Sequence, residues 1–117
     1  MATRYQRGAG RERKYADLLR KSDWVVIRAA GSHGESDLVA LKKGRVCLIQ
    51  VKSDARGPFS HFGPDSRRLL LEDAEKASGE AWLVHWPIGV KQPVAVPPQD
   101  WPHQKQVSVL ADPPHTS

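Results

Sequence analysis

Apolar residues recur at helical spacing between Arg11 and Lys21, where Tyr15, Leu18 and Leu19 mark one face among charged neighbours. This pattern predicts an amphipathic helix of about three turns. Ahead of it, residues 1–10 (MATRYQRGAG) show no periodicity and hold two arginines and two glycines, so they read as a flexible basic arm. Trp24 to Ile27 is a short apolar run expected as a buried strand. After the loop 29–36 (AAGSHGES), two β-rich runs, Asp37 to Leu41 and Arg45 to Lys52, are separated by Lys42, Lys43 and Gly44 and predict a tight hairpin. The stretch 53–64 (SDARGPFSHFGP) is a loop broken by Gly and Pro. Asp65 or Ser66 can cap a second helix running to about Ser78, with Leu69, Leu70, Ala74 and Ala77 as its apolar stripe and Gly79 as its stop. Ala81 to Trp86 reads as a fourth strand. Prolines at 87, 93, 97, 98 and 102 break the remainder, leaving short edge strands around Val94 to Val96 and Val107 to Leu110. Helix, strands, helix, strand in this order predict an α/β or α+β domain built on one mixed sheet, and of the two the α/β reading, a central mixed β-sheet flanked by helices, is taken. Its expected bounds are residues 1–110, followed by a disordered tail, 111–117.

Charge narrows the partner. The 117 residues carry a formal net charge of +5, and cations that neutralise phosphates gain affinity from released counterions. Arg4, Arg7, Arg11, Arg13 and Lys14, beside Gly8 and Gly10, suit phosphate contact by a mobile arm. Arg56, near Phe59, His61 and Phe62, marks a second loop that could touch DNA. Nothing in the chain predicts base readout, so recognition would rest on backbone charge and DNA shape. The single Cys47 lies in an apolar run and has no internal disulfide partner. No apolar stretch is long enough for a membrane span, and the basic N-terminus lacks the apolar segment of a secretory signal. A soluble cytoplasmic protein is expected, in the host cytoplasm if phage-encoded.

Candidate chemistry gathers on the hairpin. A turn centred on Lys43 and Gly44 pairs each residue i with residue 87 − i, so Asp37 faces Gln50. Directly opposed residues share a sheet face with Cβ atoms roughly 4.5 to 5.5 Å apart, and Lys52 lies diagonal to Asp37 on that face. A turn one residue longer would separate these groups. Polar side chains beside the runs LVAL and VCLIQV need partners, and a metal ion is a candidate. Glu12 precedes Tyr15, Ala16 and Leu19 by three, four and seven residues, which places it on the buried face of the first helix. Glu12 and Asp37 as hard oxygen ligands, with the Gln50 amide oxygen as a neutral third, suit Mg²⁺ or Mn²⁺. Lys52 would hold the nucleophile or stabilise the transition state.

The run GRERKYADLLRKSDWVVIRAAGSHGESDLVALKKGRVCLIQVKS (residues 10 to 53) resembles the archaeal-type Holliday junction resolvases, the Hjc family within the PD-(D/E)xK nuclease superfamily; residues 63 to 86 resemble it more loosely. The resemblance implies a restriction-endonuclease-like core. It places the helix-1 acidic residue on Glu12, an active-site serine on Ser32, the metal-binding aspartate on Asp37 and the catalytic lysine on Lys52. Gln50 departs from the acidic residue usual at that position, giving D…QxK. The implied activity is metal-dependent hydrolysis of paired phosphodiesters at four-way junction DNA by a homodimer with two sites. Two other functions remain open: a superfamily nuclease that cuts or nicks ordinary duplex, and a non-catalytic DNA-binding protein of the same fold. Neither zinc spacing nor a nucleophile, base and orienter set is present, and His33 and His85 read as loop and structural histidines.

Overall fold

A computed structural model of the chain describes residues 4–29, 36–102 and 109–116. The first helix, α1 (Arg4–Lys21), leads into β1 (Val25–Arg28), β2 (Leu38–Lys42) and β3 (Arg45–Lys52), then α2 (Pro64–Lys76), β4 (Glu80–His85) and β5 (Val94–Val96), with short 3-10 turns at Pro98–Asp100 and Pro114–Thr116. The strands form one sheet in the order β1-β2-β3-β4-β5. Every neighbouring pair is antiparallel except β3 with β4. That parallel pair requires a crossover, which the loop after Lys52 and helix α2 supply. The mixed sheet flanked by helices is thus the expected α/β architecture.

The hairpin has the expected register. Leu38↔Ile49, Val39↔Leu48, Ala40↔Cys47, Leu41↔Val46 and Lys42↔Arg45 are the partners. Lys43 (φ 44°) and Gly44 (φ 83°) both adopt the left-handed conformation that a two-residue turn of this type demands. Strand alternation then sorts the two cores. Cys47, Ile49 and Val51 join Leu38, Ala40, Trp82 and Val84 under Tyr15, Ala16 and Leu19 of α1. Leu48, Ala81 and Leu83 face the opposite way, against Leu70 and Ala74 of α2, with Phe62 and Trp101. Phe62 is fully buried and meets Trp101 edge-on, their ring centroids 5.1 Å apart, so it is a core residue and not a DNA contact.

Several expectations are corrected. The arm is helical from residue 4 onward, because Gly8 and Gly10 each cost only about 1 kcal/mol relative to Ala, and extending an anchored helix needs no new nucleus. Helix α2 starts at Pro64, with Gly63 at the N-cap and no side-chain cap bond. Its buried stripe is Arg67, Leu70 and Ala74, whereas Leu69 is 38% exposed and Ala77 lies past the end. Arg67 holds an inner position with its guanidinium 6.0 Å from the Phe59 ring, a contact that repays a buried cation in part. Gly79 is needed for proximity: Ser78 (φ 51°) takes the left-handed position, while a Cβ at Gly79 would lie 2.6 Å from the Val46 carbonyl oxygen. Finally, the segment after residue 110 is tied down. Pro114 is buried, Arg45 Nη2 donates to the Asp112 carbonyl at 2.7 Å, and the Tyr15 hydroxyl is 3.0 Å from His115 Nδ1. Burial lowers the His115 pKa and pushes that of Tyr15 well above its usual value. Residues 107–108 of the last expected strand lie outside the described residues, and Val109 is held by the Gln99 side-chain amide, not by a strand partner. Among the described residues no helix is long and apolar enough to cross a membrane.

Candidate active site

Asp37 stands immediately before β2, and three hydrogen bonds fix it there. Its N–H donates to the Ile49 carbonyl at 2.8 Å, and its carbonyl accepts from the Ala29 N–H at 2.9 Å. Its Oδ2 accepts from the Val51 N–H at 2.8 Å. The carboxylate is thus docked on β3 between the positions of Gln50 and Lys52. The same register carries Asp37 onto the Gln50 position, as the arithmetic of the turn predicts. Gln50 is only 8% exposed, so its amide is an interior group.

Glu12 approaches this end of the sheet from α1. It pairs with Arg28, the last residue of β1, whose Nη2 lies 3.8 Å from Oε2. Burial raises the Glu12 pKa, and the positive charges of Arg28 and Lys52 oppose that rise. Lys52 therefore lies within electrostatic range of Glu12, and the helix-borne carboxylate meets the strand-borne lysine as the sequence suggests. Arg28 is the site residue that the chemical reading of the sequence missed. Its signal was an arginine ending an apolar strand just before the glycine-rich loop.

The remaining candidates divide. Ser32 and its neighbour His33 lie outside the described residues. Arg13 and Lys14 are exposed on α1, available for phosphate. Arg4 and Arg7 fall in the first turns of α1. Arg11 is corrected: it is 6% exposed, donates to the Pro87 carbonyl at 2.8 Å and stacks 5.0 Å from the Trp86 ring centroid. It anchors α1 to the loop after β4 and does not face solvent. Arg56 is exposed but bound to Asp54.

The donor set can be tested against a divalent cation. Among the described residues no three His, Cys, Asp or Glu side chains are grouped to hold a metal ion by themselves. Two carboxylates and an interior amide offer oxygen donors alone, which fits a hard ion that keeps water or phosphate oxygens as further ligands. Glu12, partly buried and 3.8 Å from the Arg28 guanidinium, is a further oxygen donor for such an ion.

Residues 3–115 match the family model described as archaeal Holliday junction resolvase (hjc). A crossover junction endodeoxyribonuclease Hjc of Methanocaldococcus jannaschii is 32% identical over 83 residues, which is 71% of this chain and 61% of that protein. The Hjc of Sulfurisphaera tokodaii is 33% identical over 98 residues, 80% of this chain and 65% of that one. The chain thus spans less than two thirds of either relative's length. The solved structure of Archaeoglobus fulgidus Hjc, described as a Holliday junction resolvase from an archaeal hyperthermophile, matches with a TM-score of 0.66 and 26% identity, covering 75% of this chain and 73% of that one.

Proposed function

The chain belongs to the archaeal Holliday junction resolvase (Hjc) family, and on that membership together with the site geometry we propose that it is a metal-dependent endonuclease resolving four-way DNA junctions. The observation that carries this reading is the docking of the Asp37 carboxylate on the Val51 N–H, in the register that aligns it with Gln50 and Lys52 while Glu12 closes in from α1.

Glu12, Asp37 and Gln50 would hold Mg²⁺ or Mn²⁺. Such an ion supplies positive charge at the scissile phosphate and eases deprotonation of water. Lys52, at the strand end, offers a fixed ammonium to the extra negative charge that develops as a water oxygen bonds to phosphorus and the ester P–O bond breaks. Arg28 holds the Glu12 carboxylate in place. With Gln50 neutral, the two carboxylates Glu12 and Asp37 are balanced by Arg28 and Lys52. A phosphodiester can therefore approach without net repulsion, and DNA binding should not require the ion.

One compact site makes one cut, so resolving a junction calls for two copies, and a homodimer is part of the proposal. A bare apolar sheet face supports it. Val25↔Leu41 and Ile27↔Val39 are opposed pairs facing away from the α1 core, and α2 covers β3 and β4 instead. Val25 is 60% and Ile27 53% exposed, more apolar surface than a sheet face usually leaves in water. A supercoiled plasmid that extrudes a cruciform tests the paired action. Mg²⁺ should convert it directly to linear product, two cuts in one encounter, whereas accumulation of nicked circles alone would contradict two coordinated sites.

A further inference from the structure

A second cluster lies beside the proposed cleavage site and takes no part in the mechanism above. The loop leaving β3 folds around Asp54. The Asp54 carboxylate accepts from the Arg56 backbone N–H at 2.8 Å, from Arg56 Nε at 3.1 Å and from Nη2 at 2.9 Å. It also lies 2.9 Å from His61 Nε2, which is 3.0 Å from Arg56 Nη2. Below, the main-chain oxygen of Asp54 accepts from His85 Nε2 at 2.7 Å. His85 is the parallel partner of Lys52, so β4 fastens this loop to the end of the sheet that carries the catalytic lysine.

Exposure is graded across the cluster. The Asp54 side chain is 17% exposed, whereas Arg56 is 68% and His61 47% exposed. A ligand arriving from solvent therefore meets the guanidinium and the imidazole, with the carboxylate behind them. The bonds from Arg56 to Asp54 use its backbone N, Nε and Nη2. A guanidinium has five N–H donors, so the Nη1 side of the fork can serve an anion. An exposed ion pair of this kind adds little to the stability of a fold. Its effect is to hold the fork in one orientation, so less freedom is lost when the arginine engages a ligand. Arg56 follows Lys52 by four residues, which limits their Cα separation to about 14 Å. That is short enough for one DNA strand to pass both.

We propose that Arg56 and His61 grip a backbone phosphate flanking the scissile one on the strand being cut, with Asp54 as the positioning residue that presets the arginine. This inference rests on the nuclease reading of the neighbouring site. The test is binding of a labelled four-way junction in EDTA across a series of NaCl concentrations, with cleavage in Mg²⁺ followed in parallel. Arg56→Ala should weaken binding roughly tenfold and reduce the slope of log affinity against log salt by about 0.9, the loss of one phosphate contact. Arg56→Lys, which keeps the charge, should restore the slope. Asp54→Asn should keep the wild-type slope yet loosen binding about threefold, opposite in sign to the tightening that removing a negative charge would give by itself. An unchanged slope in Arg56→Ala, with junction cleavage by the wild type intact, overturns the grip and leaves the nuclease reading standing. Tighter binding by Asp54→Asn overturns the positioning role. A wild type that does not bind the junction overturns both readings together.

Discussion

Asp37→Asn and Lys52→Ala are each expected to slow junction cleavage by about 10²- to 10³-fold or more while leaving junction affinity in EDTA within about threefold, since binding by a basic surface draws on many phosphate contacts. Asn is the informative replacement at position 37. Its amide oxygen can still accept from the Val51 N–H, which now bonds Asp37 Oδ2 at 2.8 Å, so the hairpin end stays closed and only the charge is lost. Asp37→Ala would lose the bond as well, at about 1 kcal/mol of stability, and would mix two effects. At Lys52 the proposed role is that of an ammonium acting on charge developing in the transition state, so the expected defect lies in the rate of the chemical step. Single-turnover cleavage with protein in excess over junction reads that step directly. Either variant cutting at the wild-type rate would remove that residue from the site.

Trp82→Ala is expected to lower folding stability by about 3 to 5 kcal/mol, a large share of the roughly 5 to 15 kcal/mol that holds a domain together. Trp82 is 1% exposed in the α1-facing core and pairs with Ile49 of β3. Its indole N–H donates to Glu80 Oε1 at 2.9 Å. The same carboxylate takes Arg45 Nε at 3.0 Å and Nη2 at 2.7 Å, so Glu80 keeps its charge partner in the variant and the loss is chiefly the cavity. Urea unfolding provides the check. A change under about 1 kcal/mol would mean that the core between α1 and the sheet does not rest on this side chain.

Much of the geometry of the candidate site was legible because it sits on a short hairpin. A two-residue turn at Lys43 and Gly44 fixes the pairing sum, and with it the alignment of Asp37 with Gln50 and Lys52; a period of two leaves no intermediate register. Glu12 was legible from its distance to Tyr15, Ala16 and Leu19 on one helical face. What escaped was set by contacts distant in sequence. The Tyr15 to His115 bond joins opposite ends of the chain, and no local pattern distinguishes a proline-rich strap from a disordered tail. Arg11 reads as one more cation in a basic segment until Trp86 and the Pro87 carbonyl enclose it. The phase of α2 shifted because Arg67 occupies an inner position that polarity alone assigns to solvent. Arg28 and Asp54 gave weak signals for the same reason: each is a single polar residue whose partner, Glu12 or His85, comes from another element.

The central claim, a metal-dependent cleavage site selective for branched DNA, is tested most directly by incubating the purified protein with a labelled four-way junction and a matched linear duplex, each with Mg²⁺ and with EDTA. The geometry predicts junction binding under both conditions and paired cuts in the junction alone, only when Mg²⁺ is present. Equal cutting of the linear duplex would contradict the selectivity, and junction binding without cutting in either Mg²⁺ or Mn²⁺ would show that Gln50 marks a DNA-binding protein that has lost the reaction.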